Sequence, residues 1–470
     1  MFDNLEALKP ALRELVAALR ERFAYASVLA TQERYRAWRV SRSGVSVGSS
    51  DADRGSGFVV RVFDETGCAE YSFNEFSRDR IGQIVERLCA GVKEQNESLG
   101  GCFDPLPTGL PDDTPVQIKK DAKVEIDPET LGDEKILAML GGIREKGVQN
   151  EGILDVMLGA SCSAERKIFI SGHRDLDETH FWTDAFLVAL AARGEEVKDY
   201  YCSYSTLGGM EVLRDVEKDL DHAVCTVREL LSAEPITPGE YECICDPDVT
   251  GMIVHEAFGH GVEMDMFVKD RALARRCIGE YVASPMVTMH DGSTVEQTAT
   301  WAFDDEGNLT GDTVIIDRGV LKTGMCDALS ASRLGIAPTG NGRRESYERK
   351  AYTRMTNTWF EGGEATLDEM IATVQHGFLL ENPSSGMEDP KNWGIQCMVN
   401  IAREIRDGKL TGRIFSPIVL TGYVPDLLKS VSMMGKGVVL KGGGYCGKGY
   451  KEWVKVSDGG PCMKARIRLG

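Results

Sequence analysis

The residue types best suited to chemistry lie in one short segment that contains two histidines and a glutamate. His255 and His260 are the only two of the seven histidines that lie fewer than seven positions apart, and Glu256 follows the first. The familiar zinc-hydrolase motif places two histidines four residues apart on one helical face, with a glutamate beside the first. Here the separation is five. Five residues at about 100° each place the rings roughly 140° apart, so a regular α-helix would not direct both at one metal ion.

The flanking residues predict a helix that departs from regular α structure. Asp246 can cap the helix and Pro247 suits its first position, where a missing N–H has no cost. Gly259 and Gly261 flank His260 and ease either a π-type bulge or an early helix end. Either departure would bring the two histidines together. The spacing alone is equally consistent with metal binding and with ordinary polar residues at a helix end.

A catalytic zinc site usually has three protein ligands and an open position, so a third ligand is required. Cys397, Cys446 and Cys462 are the candidates because they lie in the closing strands of the same predicted domain. The glycine-rich surroundings of Cys446 permit close backbone approach and favour it without deciding the choice, since any of these thiols can be a small buried hydrophobe. Glu263 and Asp265 are either partners that orient a ligand histidine or plain surface acids.

The other histidines show no metal-binding pattern. His173 and His180 lie on or between predicted strands and are interpreted as structural. Three isolated histidines are expected in solvated or hydrogen-bonded roles: His222, His290 and His376.

The amino-terminal half predicts a two-layer α+β domain of helices on an antiparallel sheet, covering residues 1–235. The order helix, strands, helix occurs twice, which indicates either a duplication with a break near residues 100–130 or two uses of a common arrangement. The first set of segments is 5–19, 28–40, 57–63, 68–73 and 79–94. The second set is 133–145, 153–160, 165–171, 181–191 and 211–232.

Residues 235–239 (P-I-T-P-G) mark the predicted domain boundary. Beyond it lie short strands punctuated by glycine, a tight hairpin at 314–322 and a helix at 366–376. These patterns predict a β-rich carboxy-terminal domain, residues 236–470, which carries the metal-site helix.

Composition excludes several classes of function. The formal net charge of -19 over 470 residues argues against non-specific binding of nucleic acid or of an anionic membrane. The longest apolar run, 185–192, is far shorter than the about 18 residues that span a bilayer. Thirteen scattered cysteines and a polar first segment predict a cytoplasmic, reducing location. No G-K-S/T follows the glycine run and no G-x-S-x-G occurs, so nucleotide binding and serine hydrolysis lack support.

Several motifs together resemble the TldD/PmbA metalloproteases, formerly described as modulators of DNA gyrase. The central one is H-E-A-F-G-H-G-V-E-M-D at 255–265, whose H-E-x-x-x-H spacing is a variant typical of that family. The others are G-S-G-F-V-V-R-V-F at 55–63, T-G-N-G-R-R-E-S at 339–346, R-M-T-N-T at 354–358 and G-G-G-Y-C-G-K at 442–448. One stretch, 168–180, does not match the family pattern and leaves substrate contacts there unassigned.

The resemblance implies a zinc peptidase that cleaves unfolded or short peptides with a metal-activated water. The ligands carried over are His255, His260 and Cys446, and Glu256 is the general acid/base. Because all four positions are present, the chain resembles the catalytic TldD type rather than the TldE (PmbA) subunit, which lacks the metal motif. The implied assembly is a homo-oligomer or a heterodimer with a TldE/PmbA-like subunit. The alternative is a non-catalytic peptide-binding or regulatory subunit with a structural metal, and a DNA-associated role fits poorly with the charge.

Overall fold

Eight strands of the amino-terminal half form one sheet in the computed structural model, which describes residues 3–50, 56–64, 67–99, 109–449 and 451–470. The strand order is β4-β3-β1-β6-β7-β5, with β2 beside β1 and β8 beside β7. The strands are β1 Tyr25–Ser41, β2 Gly44–Ser50, β3 Gly57–Asp64, β4 Gly67–Phe73, β5 Val116–Lys120, β6 Ile153–Ile170, β7 Arg174–Arg193 and β8 Glu196–Leu207.

The helices of this half cover one face of the sheet. They are α1 Asp3–Arg20, α2 Ile81–Leu99, α3 Pro128–Leu131, α4 Asp133–Val148, α5 Leu213–Lys218 and α6 Leu220–Leu230. Side chains alternate along a strand, so Val28 faces the helices whereas its neighbour Leu29 faces the other way. Leu29 packs with Phe303 and Tyr347 from the carboxy-terminal half. Both faces of the sheet are therefore buried over much of their area.

The predicted helices and the strands predicted at 28–40, 57–63 and 68–73 are confirmed, with the helix predicted at 211–232 divided into α5 and α6, but two details are wrong. The two strands predicted at 153–160 and 165–171 are one continuous strand, β6. The small residues between them stay in the sheet because β6 pairs with β1 on one side and β7 on the other. The sheet is also not wholly antiparallel, since β5 pairs with β7 in parallel. Strands β2, β5 and β8 were not predicted.

The carboxy-terminal half is built mainly from strands in three sheets. One sheet has the order β12-β11-β10-β15-β22-β21, another has β16-β9-β23-β19-β17-β18 with β20 beside β23, and β13 pairs with β14. The strands are β9 Gly239–Cys245, β10 Met289–Gly292, β11 Asp312–Asp317, β12 Val320–Leu321, β13 Gly342–Arg343, β14 Tyr352–Thr353, β15 Asn357–Phe360, β16 His376–Asp389, β17 Gly394–Arg406, β18 Lys409–Phe415, β19 Ile418–Tyr423, β20 Met433–Met434, β21 Val439–Lys448, β22 Lys451–Gly460 and β23 Met463–Leu469. The hairpin predicted at 314–322 is confirmed by the β11–β12 pair.

Five short helices accompany these strands. They are α7 Pro247–Met252, α8 Asp265–Val268, α9 Ala328–Leu334, α10 Leu367–Ala372 and α11 Val424–Lys429. Helix α7 contacts β22 and β21 of one large sheet and β16 of the other, so it lies between them in the main core. The sheets thereby hold this segment from two sides.

The chain is a mixed helix and strand protein, and its division at residue 235 stays a prediction. Strands β1–β8 share one sheet and β9–β23 form the others, which is consistent with that division. Part of the predicted break near residues 100–130 lies outside the described residues, which omit 100–108. Within the described ranges, no helix is long and apolar enough to cross a membrane. The twelve cysteines there are all free thiols.

Candidate metal centre

The histidine segment begins as the sequence predicts. Strand β9 ends at Cys245, and the side chain of Asp246 accepts a hydrogen bond from the backbone N–H of Val249 at 2.7 Å. Pro247 occupies the first helical position. The cap satisfies one of the free N–H groups at the helix start and so fixes where the turns that follow begin.

The helix then changes its winding, and this change brings the two histidines together. Residues Ile253–Gly259 form a π-helix, and His260–Val262 form a 3-10 turn. A π-helix bonds residue i to residue i+5, so a five-residue spacing returns to the same side. The ring centroids of His255 and His260 are 5.2 Å apart. Of the two departures considered from sequence, the π-type turn is observed, and the helix also ends near His260.

Cys446 meets the histidines from strand β21. Its Sγ atom lies 3.3 Å from Nε2 of His260. One ligand atom from each of His255, His260 and Cys446 lies within 4.8 Å of the others. Both His255 and Cys446 are buried, whereas the side chain of His260 is 19% exposed. The structure thus places three donors around one point.

The cluster carries its own charge pattern. Burial would raise the pKa of the Cys446 thiol, but the neighbouring His255 and His260 rings outweigh it and lower that pKa to about 5. Burial would lower the pKa of His255, but the Cys446 thiolate outweighs it and raises that pKa to about 9. The pKa of His260 rises as well, because Cys446 and Glu263 outweigh burial. These shifts favour a thiolate at Cys446 and protonated imidazoles at His255 and His260 when no metal is bound.

The other two candidate cysteines lack these neighbours. Burial raises the pKa of Cys397 to about 12, and burial raises that of Cys462 to about 11. Neither thiol belongs to the donor group around the histidines in the described residues. The structure therefore favours Cys446 as the third ligand, a choice among three cysteines that the residue spacing did not decide.

Glu256 lies at the edge of the donor group and faces a cavity. Its Oε2 atom is 3.8 Å from Nε2 of His260, and its side chain is 26% exposed. The cavity has a volume of about 580 Å³ and is lined by Glu256, by Tyr200 and Tyr204 of β8, and by Gly386 of β16. A carboxylate beside the donors and open to a cavity can exchange protons with a molecule held there.

Sequence reasoning missed the contribution of β8 to this cavity. The run Tyr200-Tyr201-Cys202-Ser203-Tyr204 is rich in strand-forming residues, which was the available signal. It also missed Asp458 and Lys441, which line the same cavity from β22 and β21. Both residues reach the cavity through the pairing of β21 with β22, and these strands lie far from the histidine segment in the sequence.

Glu263 and Asp265 are not surface acids. Glu263 is 1% exposed and Asp265 is 5% exposed. The Oε2 atom of Glu263 lies 3.2 Å from Nδ1 of His260, and Asp265 forms ion pairs with Lys269 and Lys448. The interpretation of Glu263 as a partner of a ligand histidine agrees with this geometry.

The remaining histidines lie outside the donor group. His173 contacts Asp113, and His290 lies between Asp312 and Glu361. His180 is buried beside Trp301. His222 lines the cavity, and His376 is exposed. None of residues 168–180 lines the cavity.

The donor set fits zinc. Two imidazoles and a thiolate are ligands that zinc prefers, and three of them leave one position open. The Nδ1 atom of His255 is buried without a hydrogen-bond partner among the described residues. A buried imidazole nitrogen without a partner is costly unless a ligand satisfies it.

A family model and several named proteins match parts of this chain. The model of the PmbA/TldA metallopeptidase C-terminal domain matches residues 238–465. A protein of Methanothermobacter thermautotrophicus named metalloprotease is 31% identical over 60% of this chain and 62% of its own. A zinc metalloprotease TldD homolog of Saccharolobus solfataricus is 28% identical over 55% of this chain and 56% of its own. The matched region is thus less than two thirds of either relative.

The fold is shared more widely than the sequence. The crystal structure of TldE from Thermococcus kodakarensis superposes with a TM-score of 0.75, covering 98% of this chain and 100% of that one. The two sequences are 17% identical. The likeness therefore concerns the arrangement of helices and strands along nearly the whole chain.

Proposed function

Because the chain belongs to the TldD/PmbA family, we propose that it is a zinc-dependent peptidase that cleaves unfolded or short peptides. His255, His260 and Cys446 would hold the metal, and Glu256 would act as general acid/base. The observation that carries this proposal is that three donors from two distant segments converge beside a carboxylate that opens to a cavity. The name of the Saccharolobus relative supports zinc as the metal.

The side chains divide the work of peptide hydrolysis. Zinc in this site supplies a Lewis acid that polarises the scissile carbonyl and lowers the pKa of a water molecule. Glu256, which lines the cavity, would take a proton from the attacking water and deliver it to the leaving amine. The thiolate of Cys446 places one negative charge on the site, as a carboxylate ligand would.

The cavity suits a peptide with positive charge. Its lining contains six acidic side chains and two basic ones: Asp219, Asp246, Asp248, Glu256, Glu381, Asp458, Arg403 and Lys441. Burial raises the pKa of Asp246 to about 7 and that of Asp458 to about 6. The negative charge of the lining therefore grows as the pH rises from about 6 to about 8, which favours cationic peptides over anionic ones.

The assembly and location are parts of the same proposal. The fold shared with TldE supports a heterodimer with a TldE/PmbA-like subunit, with a homo-oligomer as the other arrangement. The free thiols support a reducing, cytoplasmic location. A two-domain division at residue 235 agrees with the separation of strands among the sheets.

Zinc content and peptide cleavage test the function directly. The purified chain is expected to bind one zinc ion and to cleave an unfolded peptide. Glu256→Gln should keep the zinc and lose cleavage by about 100-fold or more. If Glu256→Gln keeps both zinc and full activity, the proposed mechanism is wrong. Bound zinc without any cleavage by the native chain would support the non-catalytic peptide-binding subunit instead.

A further inference from the structure

Four charged side chains behind the metal centre form one buried network. Glu263 and Asp265 follow the histidine turn, Arg354 precedes β15, and Lys448 ends β21. The side chain of Arg354 is 0% exposed and that of Glu263 is 2% exposed. Charges at this depth are costly unless each is paired. These four paired charges therefore indicate a role inside the protein rather than a contribution to its solubility.

Glu263 holds the side of His260 that points away from the thiol. Nδ1 of His260 is 3.2 Å from the carboxylate, whereas Nε2 is 3.3 Å from Sγ of Cys446. An Nδ1–H that donates to a carboxylate fixes the ring orientation and leaves the Nε2 lone pair for a metal. Glu263 thus selects which nitrogen of His260 is presented.

Arg354 connects this carboxylate to the backbone of the third donor. Its Nε donates to Oε1 of Glu263 at 3.2 Å, and one terminal nitrogen donates to the carbonyl of Cys446 at 2.9 Å. Its other terminal nitrogen donates to the carbonyl of Glu452. The guanidinium is rigid and planar, so these contacts fix the distance between the histidine turn and the β21–β22 pair.

Lys448 balances the charge. Its Nζ lies 3.2 Å from Oε2 of Glu263 and 2.6 Å from Oδ1 of Asp265. Arg354 and Lys448 thus compensate the two buried carboxylates, and Lys269, which is more exposed, adds a second ion pair to Asp265 at 3.0 Å. The loss of one member would leave its partner buried and uncompensated.

We propose that Glu263 and Arg354 are positioning residues of the metal centre. Glu263 sets the orientation of His260, and Arg354 links the histidine turn to the strand that carries Cys446. This inference rests on the proposed function, since it assumes that the three donors bind zinc. Neither residue lines the cavity, and both act through the ligands.

Zinc affinity of two conservative variants tests the inference. Glu263→Gln keeps the shape but replaces one acceptor oxygen with an NH2 group, which must then face a donor. Arg354→Lys keeps the charge but loses the fork that reaches both Glu263 and the Cys446 carbonyl. We expect zinc affinity, measured by chelator competition, to fall about 10- to 100-fold in each. Cobalt-loaded Glu263→Gln should also show shifted visible d–d bands.

A matched control separates positioning from general stability. Asp177→Asn makes the same carboxylate-to-amide change in a buried pair with Arg166 in the first sheet. This variant should keep native zinc affinity. Melting temperatures of the metal-free proteins show which variants are folded, and Arg354→Lys decides the question if Glu263→Gln does not fold. Equal weakening in Asp177→Asn would overturn the inference, because the loss would then be general.

The possible failures are distinguishable. If the native chain binds zinc and both folded site variants bind it equally well with unchanged cobalt spectra, only the positioning roles are overturned. If the native chain binds no zinc, the proposed function fails and this inference fails with it.

Discussion

Sγ of Cys446 lies 3.3 Å from Nε2 of His260, although 186 positions separate the two residues in the chain. The histidine comes from the end of a π-helix, and the cysteine comes from a glycine-rich strand. Two sheets hold that helix between them, and one of these sheets includes the strand with the cysteine. The candidate metal centre therefore depends on the packing of these two sheets, not on one local motif.

Replacing the thiol should remove the metal. Cys446→Ser substitutes a weakly acidic hydroxyl for a thiol whose pKa is about 5, so the third ligand is lost at neutral pH. We expect zinc content below about one tenth of the native value after dialysis, because two imidazoles alone bind weakly. Metal analysis of the purified proteins measures this.

Cys397→Ser is the matched control. Cys397 is also fully buried and lies close to Glu256, since its Sγ and the Glu256 side chain both adjoin Gly386. This variant should keep stoichiometric zinc. If Cys446→Ser keeps its zinc and Cys397→Ser loses it, the third ligand is Cys397 and not Cys446.

Zinc binding should release the protons that the three donors carry in the metal-free protein. At pH 7 Cys446, with a pKa of about 5, is already a thiolate, whereas His255, with a pKa of about 9, and His260 are protonated. Because zinc binds neutral imidazole, we expect about two protons per ion. Titration calorimetry in buffers of different ionisation enthalpy gives this number.

The number of protons released on zinc binding should fall as the pH rises. The His255 pKa is raised, so its proton is present below about 9 and is lost as the pH rises through that value. Proton release should therefore be about one and a half near pH 9 and approach one above that pH. Release of a single proton at pH 7 would mean that the three donors carry only one proton in the metal-free protein, which contradicts the protonation of both His255 and His260.

The backbone of β16 should control the position of Glu256. A Cβ atom at Gly386 would lie 2.5 Å from Cγ of Glu256, so Gly386→Ala must displace that side chain. We expect kcat to fall about 10- to 100-fold at unchanged zinc content, because a general base displaced by about 1 Å transfers protons poorly. Peptide cleavage assays with metal analysis measure both quantities.

Gly394→Ala provides the comparison for this change. Gly394 begins the neighbouring strand β17, and nothing lies within 4 Å of a Cβ built there. Its activity should equal that of the native chain. Native activity in Gly386→Ala would show that Glu256 does not need its observed position.

Peptide charge should influence cleavage through the acidic cavity. Peptides that contain lysine or arginine should be cleaved with a kcat/KM about 10-fold above that of acidic peptides at low salt, and the difference should shrink as salt screens the field. The preference should grow between pH 6 and pH 8, as Asp246 and Asp458 lose protons from pKa values of about 7 and about 6. An equal kcat/KM for both peptide classes at low salt would contradict the role of the lining charges.

Local sequence signals predicted the elements that depend on nearby residues. The amphipathic pattern of α1, the Asp246–Pro247 helix start and the β11–β12 hairpin follow from propensities and turn chemistry. The departure of the histidine helix from α geometry was also predictable, because the spacing of five conflicts with a regular helix. The choice of a π-turn was not, since it depends on packing; at Gly259, for instance, a Cβ would lie 2.4 Å from Sδ of Met355.

Contacts between segments that are distant in sequence could not be predicted from local sequence patterns. Strand β6 stays continuous through its small residues at 161–164 because β1 and β7 pair with it on both sides. Its charged residues Arg166 and Lys167 form ion pairs with Asp177 and Asp305. Arg354 belonged to a motif that resembled the family, but its link from Glu263 to Cys446 appears only when β21 and the histidine turn meet. The selection of Cys446 among three cysteines has the same origin.

X-ray absorption at the zinc edge counts the sulfur and nitrogen neighbours of the bound ion and so tests the proposed ligand set. Zinc held by His255, His260 and Cys446 should show one sulfur at about 2.3 Å with nitrogen or oxygen neighbours at about 2.0 Å. Any residual zinc in Cys446→Ser should lack the sulfur signal. A native zinc shell without sulfur, or with two sulfur neighbours, would contradict the assignment of His255, His260 and Cys446.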